Sequence, residues 1–315
     1  MISISRLLCD AINPGDSLRY SGSASQRPVI VWNCTRQCNL RCLHCYASAN
    51  GSRNHDEMDT EAGKALIQDL ADFGVPVILF SGGEPLLRKD LFELAALART
   101  RGIRVALSTN GTLIDQGAAR MIKELGFAEA GISLDGVGEN NDFFRGHKGA
   151  FDAALQGIRN CIAEGVRVSL RLTITSFNYQ EIPAIFRLVE SEGIDRVCFY
   201  HLAYAGRGDN LRQNDITHAQ TRMVVDQICQ QTLDFYRRGM KKEILTVGNH
   251  ADGVYVYLRT KNQDPARASQ ILHLLRRNGG NNSGIKIGAV DDLGNVHPDQ
   301  FWWHHTLGNV RQRKF

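Results

Sequence analysis

The sequence lacks the features of several broad classes of protein. No apolar run approaches the ~18 residues that a membrane-spanning helix needs. The opening residues, MISISRLLCDAINPGDS, lack the basic and apolar regions of a secretory signal. Lys and Arg number 37 against 33 Asp and Glu, and a formal charge of +4 is too small to indicate a nucleic-acid-binding protein. We therefore expect a cytoplasmic protein that neither spans a membrane nor binds nucleic acid.

The composition is that of a globular protein with a substantial core. Its 315 residues allow one large domain or two ordinary ones, and 43% of them are hydrophobic. The chain contains eight cysteines. Without an export signal, these are more consistent with metal ligands or buried thiols than with disulfides.

Short apolar runs alternate with amphipathic helical patterns along the first two thirds of the chain. The predicted strands are 28–33, 75–80, 103–108, 128–135, 166–175 and 195–202. The predicted helices between them are 59–73, 90–101, 115–125, 149–164 and 180–192. Such repeats predict a parallel sheet with helices outside it, either doubly wound or curled into a barrel. Functional residues are then expected in the loops that follow the strands.

This alternation stops near residue 205. A long polar helix at 217–238, an irregular stretch and a second helix at 265–277 are predicted there. Residues 284–298 have the pattern of a hairpin, with its tight turn at 292–295.

Three cysteines follow the first strand at close spacing. Cys38, Cys42 and Cys45 can converge on one metal centre, and sulfur ligands favour zinc or an iron–sulfur cluster. A structural zinc would need a fourth ligand, which Cys34 or His44 offers. Cys34, however, continues the alternation of the first strand, which predicts a buried side chain. Three ligands on a four-iron cluster would leave one iron open for chemistry.

The segment CTRQCNLRCLHCY resembles the CxxxCxxC signature of the radical S-adenosylmethionine (SAM) enzymes. Three later segments, SGGEP (81–85), STNG (108–111) and ISLDG (132–136), are similar to the SAM-contacting loops of that family and follow successive strands. The resemblance covers about residues 28–204. It implies a partial (βα)6 TIM-like barrel with a C-terminal α/β-hairpin extension, and a [4Fe-4S] cluster on Cys38, Cys42 and Cys45.

The same resemblance implies which residues contact SAM. They are His44, Gly82, Gly83, Glu84, Ser108, Asn110, Ser133, Asp135 and Arg171. The two glycines would let backbone groups approach the SAM ammonium group, and Glu84 would add an acceptor or order its loop. SGGEP alone would equally suit a helix-capping turn. Arg171 lies on the polar face of an otherwise aliphatic strand, which predicts a cation inside the barrel that pairs with the SAM carboxylate. The alternative is a strand-end arginine paired with a helix carboxylate.

Segments 201–208 and 296–311 resemble one subgroup, the radical SAM proteins of haem d1 biosynthesis. That resemblance implies an iron didecarboxysiroheme substrate that loses propionate side chains, and a low-potential electron donor such as a flavodoxin or ferredoxin. A related enzyme of the alternative haem pathway is the nearest alternative. The substrate contacts it suggests are His201, Tyr204, Arg207, His297, Trp302, Trp303, His304 and His305, with Arg276 and Arg277 as possible carboxylate partners. The aromatic segment could instead form a small C-terminal core, and the paired histidines a solvated turn.

The chain departs from this subgroup in one respect. Such proteins generally carry a SPASM extension whose cysteines hold an auxiliary cluster, and many have cysteine where Asp299 stands here. After Cys45 only Cys161, Cys198 and Cys229 occur, without ligand spacing. The chain is then either a truncated copy or one that works without the second cluster.

We predict a lead-in (1–27), a barrel core (28–204) and the start of a SPASM-like extension (205–315). The other functions considered are a radical SAM enzyme acting on a peptide and a SAM- or haem-binding protein without turnover. The 27 residues before the first strand leave no room for a peptide-binding domain.

Overall fold

The computed structural model describes residues 1–20 and 27–315. Its strands form one sheet. They are β1 (Ile2–Ser3), β2 (Val29–Asn33), β3 (Val77–Ser81), β4 (Arg104–Thr109), β5 (Ala130–Ser133), β6 (Val168–Ile174), β7 (Arg196–His201), β8 (Glu243–Val247), β9 (Ile287–Val290), β10 (Asn295–His297) and β11 (Gly308–Asn309). The helices are α1 (Ile4–Cys9), α2 (Asp16–Arg19), α3 (Thr60–Phe73), α4 (Leu91–Thr100), α5 (Gln116–Glu124), α6 (Glu139–Arg145), α7 (Ala150–Ala163), α8 (Ile182–Ser191), α9 (His218–Arg237), α10 (Ala251–Lys261) and α11 (Pro265–Asn278).

The sheet is a partial barrel built from parallel neighbours. Its order is β1-β8-β7-β6-β5-β4-β3-β2-β9-β10-β11, and it does not close. Pairing is parallel from β8 through to β9. At the two ends, β1 on β8 and the hairpin strands β10 and β11 pair antiparallel. The predicted α/β barrel with a C-terminal hairpin is therefore confirmed, and β8 and β9 extend the predicted six parallel strands.

Local signals at the helix ends explain why the predicted helices agree well with the observed ones. Asp59 accepts a hydrogen bond from the Ala62 backbone at the start of α3, and Gly74 ends that helix in the left-handed conformation. Thr217 and Gln220 form a capping box at the start of α9.

Several elements were not predicted. The stretch expected to be irregular after α9 contains β8 and α10, and the prediction there was wrong. The short polar helix α6 and the N-terminal elements β1, α1 and α2 were also missed. β1 is only two residues long, so its partner β8 supplies the pairing that makes it a strand. Elements of all three predicted segments thus join one sheet, and residues 21–26 of the lead-in lie outside the described residues.

The C-terminal hairpin has the predicted strands but a turn that lies one residue earlier. β9 pairs with β10, and the Gly294 N–H donates to Asp291 O at 3.1 Å. Because β9 also pairs in parallel with β2, the hairpin lies beside the strand that precedes the cysteine loop. This pairing brings the residues after β10 close to the carboxyl end of the barrel.

The alternation along β6 orients the polar side chains as predicted. Val168, Leu170 and Leu172 are fully buried among the core residues, while Arg171 and Thr173 line a cavity inside the barrel. No helix among the described residues is both long and apolar enough to cross a bilayer.

Candidate active site

The carboxyl ends of the barrel strands surround one cavity. Its lining includes most of the residues predicted to bind the cluster or SAM: Cys38, Cys42, Cys45, His44, Gly82, Gly83, Ser108, Asn110, Ser133, Asp135 and Arg171. Of the predicted substrate contacts, His201 and Arg207 line it as well. Tyr46, Arg145, Tyr200, Gln300 and Phe301 also line it and were not predicted. Residues far apart in sequence are thus brought together by the shared end of the sheet.

The cysteine loop between β2 and α3 is anchored by backbone hydrogen bonds to the loop after β3. The Gly83 N–H donates to Thr35 O, and the Glu84 N–H donates to Gln37 O, each at 2.7 Å. Within the loop, the Cys38 N–H donates to Asn50 O at 2.7 Å. The loop therefore has a defined path although it contains no helix or strand.

The two glycines are required by this contact between loops. A Cβ on Gly83 would lie 2.7 Å from the Gln37 carbonyl carbon and 2.8 Å from Arg36 O. Gly82 has a φ of +149°, and a Cβ there would lie 2.5 Å from Thr35 O. Both residues still border the cavity. Contact with the cysteine-loop backbone excludes a side chain at these positions, and the approach of SAM to the two glycines stays a prediction.

Glu84 orders the loops instead of lining the cavity. Its carboxylate is fully buried and accepts from the Asn110 N–H and the Thr109 hydroxyl at 2.8 Å, and from the Leu86 N–H at 3.1 Å. Burial raises the pKa of this carboxyl to about 7, although the hydrogen bonds oppose the shift. Of the two roles considered for Glu84, the structure shows the ordering one.

Asp135 joins two residues beside the cysteines. Its Oδ2 atom lies 2.5 Å from Arg145 Nη2 and 3.2 Å from His44 Nε2. Arg145 Nη1 in turn donates to Cys42 Sγ at 3.6 Å. Burial lowers the pKa of His44, which favours a neutral imidazole. Arg145 was missed because the seven-residue α6 carries no clear amphipathic pattern, and the glycine after Arg145 was the one available signal of a helix end.

Arg171 lies inside the barrel as predicted. Its Nη1 atom donates to Ser108 Oγ at 2.6 Å, and its Nη2 atom lies 3.6 Å from Glu129 Oε1. A Cβ on Gly131 would overlap the guanidinium group, so glycine on the neighbouring strand makes room for it. Two predicted SAM contacts, Ser108 and Arg171, therefore touch one another. Their contact with the SAM carboxylate stays a prediction.

Four of the five cysteines outside the CxxxCxxC motif are buried apart from it, and Cys9 is half-buried in α1. Cys34 is fully buried and donates to Ser81 O at 3.2 Å, and burial raises its pKa to about 12. Cys161, Cys198 and Cys229 are buried in α7, β7 and α9. Within residues 1–20 and 27–315, no group of three or more His, Cys, Asp and Glu side chains is arranged to hold a single metal ion.

His201 and Tyr204 border a second, more open cavity. His201 lies at the end of β7 and lines both cavities, and its Nε2 atom is 2.8 Å from Oδ2 of buried Asp252. The Tyr204 hydroxyl donates to Asp215. Arg207 holds the cysteine loop, since it donates to Cys42 O at 2.8 Å and to Ala49 O at 2.7 Å.

The aromatic and histidine segment that begins at His297, the last residue of β10, lies mostly outside the cavity. His297 is buried, with Nδ1 2.9 Å from His305 O and Nε2 3.2 Å from Asp291 Oδ2, and it stacks on Trp303. Both ring nitrogens are thus occupied, which leaves neither for a substrate iron. Trp302 is exposed and donates to His304 Nε2 at 2.6 Å. The remaining predicted residues, His305, Arg276 and Arg277, are exposed and line neither cavity.

Comparison with known proteins identifies the family. The profile of the Radical SAM superfamily matches residues 32–189, half of the chain. This chain belongs to the radical SAM superfamily. It is 52% identical to an Fe-coproporphyrin III synthase of Methanosarcina barkeri over 100% of this chain and 82% of that protein. It is 42% identical to a pre-heme d1 synthase of Dinoroseobacter shibae over 92% of this chain and 72% of that protein.

Solved structures confirm the fold of this radical SAM chain. The peptide-bound SuiB of Streptococcus suis gives a TM-score of 0.72 at 17% identity, over 91% of this chain and 63% of that one. The AdoMet-bound anSMEcpe gives 0.70 at 19% identity, over 91% and 79%. At such identities these likenesses establish the fold alone.

The residues present fit the cofactors of the superfamily, a [4Fe-4S] cluster and SAM. Cys38, Cys42 and Cys45 face the same cavity as Ser108 and Arg171. Cys34, the fourth cysteine nearby, donates a hydrogen bond to Ser81 O and does not line that cavity. Three available thiols match a cluster with one open iron. The protein is a radical SAM enzyme, and its relatives at 52% and 42% identity are named as synthases of tetrapyrroles.

Proposed function

We propose that this enzyme uses SAM to trim carboxylate-bearing side chains of an iron tetrapyrrole, with an iron coproporphyrin as its product class. The supporting observation is that the three cysteines and the predicted SAM contacts border one cavity, in a chain that matches an Fe-coproporphyrin III synthase along its whole length. The pre-heme d1 synthase is less similar and covers slightly less of the chain. For this reason we favour a function in the alternative haem pathway over the removal of propionate side chains in haem d1 synthesis.

In this proposal Cys38, Cys42 and Cys45 would hold the cluster, which together with SAM would supply a 5′-deoxyadenosyl radical able to take a hydrogen atom from a substrate side chain. Ser108 and Arg171 orient the SAM carboxylate through the guanidinium–hydroxyl contact already formed between them. Phe301 packs edge-on against Tyr46 at 5.1 Å between ring centroids and helps to exclude water above the cavity.

The test is anaerobic turnover with SAM, a low-potential reductant such as reduced flavodoxin or ferredoxin, and iron didecarboxysiroheme. Mass analysis of the pigment separates the candidate products. We expect the mass of an iron coproporphyrin, and no change of mass with the Cys42→Ala variant. The mass of pre-haem d1 would support the haem d1 function instead. An unchanged pigment despite an assembled cluster would refute the proposal.

A peptide substrate is the second candidate. SuiB has the same fold and is solved with its precursor peptide, but at 17% identity that likeness does not extend to substrate. The relatives named above favour the tetrapyrrole.

A further inference from the structure

A buried guanidinium group lies between a cluster cysteine and the ISLDG loop. Arg145 is 6% exposed. Its Nη1 atom donates to Cys42 Sγ at 3.6 Å, and its Nη2 atom is 2.5 Å from Asp135 Oδ2. One rigid planar group therefore contacts a cluster ligand on one side and a carboxylate on the other.

The backbone fixes this arrangement. The Arg41 N–H donates to Arg145 O at 3.1 Å, and the Leu43 N–H donates to Phe144 O at 2.9 Å, so the two residues flanking Cys42 are bonded to the end of α6. The next residue, Gly146, has a φ of +63°, and a Cβ there would lie 2.8 Å from Arg41 O. The distance from the guanidinium to Cys42 is thus set by the main chain and not only by the side chain.

A cation that donates a hydrogen bond to a cluster sulfur favours the reduced cluster, because reduction adds negative charge to the iron–sulfur unit. We propose that Arg145 is a positioning residue that raises the reduction potential of the cluster through Cys42. Asp135 holds the guanidinium and offsets part of its positive charge. The inference does not depend on the identity of the substrate.

Asp135 makes the proposal testable by the sign of the effect. Arg145→Gln removes the positive charge, so the reduced cluster becomes less favourable. Asp135→Asn removes the opposing negative charge while it keeps an oxygen for the Thr173 N–H, which now donates to Asp135 Oδ1 at 2.7 Å. A loss of packing alone would not move the potential in opposite directions in these two variants.

The experiment is a redox titration of the SAM-free protein carrying its cluster, read by the electron paramagnetic resonance signal of the reduced form. At a fixed potential, we expect Arg145→Gln to lower the ratio of reduced to oxidised cluster about tenfold, which is 59 mV for a one-electron couple. Arg145→Lys keeps the charge and should lower the ratio less. Asp135→Asn should raise the ratio.

Arg207→Gln is the matched control, because Arg207 also anchors the cysteine loop but donates to carbonyl oxygens and not to sulfur. Its effect should be smaller than that of Arg145→Gln. Equal effects of the two variants would overturn the proposal, as would an unchanged ratio in Arg145→Gln or a decrease in Asp135→Asn. If Arg145→Gln fails to retain the cluster, Arg145→Lys and Asp135→Asn still decide the matter. A weaker SAM affinity at an unchanged potential would assign Arg145 to SAM binding and also overturn it.

Discussion

Replacing Gly83 with alanine tests how the glycine loop and the cysteine loop depend on each other. The added Cβ would overlap Gln37 O and approach Arg36 O to 2.8 Å, and both contacts are with backbone, which cannot rotate away. The loops must then separate and strain the hydrogen bonds from Gly83 to Thr35 and from Glu84 to Gln37. Two such bonds contribute about 1 kcal/mol each, and overpacking costs about 1–3 kcal/mol. We expect a loss of roughly 3–5 kcal/mol in the free energy of unfolding.

The assay is denaturant unfolding of the cluster-free protein, together with iron content after anaerobic reconstitution. Gly117→Ala is the matched control, since Gly117 lies within α5 and its new Cβ would come no nearer than 3.4 Å to a neighbour. That variant should gain about 0.5–1 kcal/mol. A Gly83→Ala protein with the stability and iron content of the wild type would refute the reasoning. Normal stability with weakened SAM binding would support the ligand-approach explanation instead.

Three further predictions concern single side chains. Burial raises the pKa of Glu84 in the folded protein from 4.5 to about 7. As the pH rises over this range, the free energy of unfolding of the wild type should therefore fall by about 3 kcal/mol more than that of the Glu84→Gln variant. Parallel pH profiles of the two proteins would contradict this. The Cys42→Ala variant should lose cluster iron and the Cys34→Ala variant should retain it, because the Cys34 thiol donates a hydrogen bond to Ser81 O. Equal iron content in the two variants would contradict the assignment. Asp252 occupies His201 Nε2, so Nδ1, which makes no hydrogen bond to a described residue, is available for a substrate iron. The His201→Ala variant should bind an iron porphyrin tetracarboxylate about tenfold more weakly and should bind the metal-free porphyrin as the wild type does. An equal loss of affinity for both porphyrins would exclude iron ligation by His201.

Much of the barrel could be predicted from the sequence because its parallel strands are short apolar runs bounded by turn residues. Their order along the chain is also their order in the sheet from β2 to β7, so successive loops meet at one edge. The cysteine spacing and the three later loops therefore predicted a shared cavity. The orientation of Arg171 followed from simple alternation along β6.

The rest depends on contacts between distant segments. β1 becomes a strand only by pairing with β8, which lies more than 200 residues away. Arg145 sits on a helix without a clear pattern, and its role is visible only once Cys42 and Asp135 are placed beside it. His297 resembled a ligand because of its neighbours in sequence, yet Asp291 and His305 occupy both ring nitrogens. These contacts between distant residues cannot be inferred from the sequence alone.

The most direct test of the proposed function follows hydrogen from the substrate. Iron didecarboxysiroheme deuterated on its carboxylate-bearing side chains is incubated anaerobically with the enzyme, SAM and reductant, and 5′-deoxyadenosine is analysed by mass spectrometry. We predict deuterium in 5′-deoxyadenosine, formed in step with an iron coproporphyrin and absent with Cys42→Ala. Substrate-independent formation of unlabelled 5′-deoxyadenosine, with the pigment unchanged, would contradict the account.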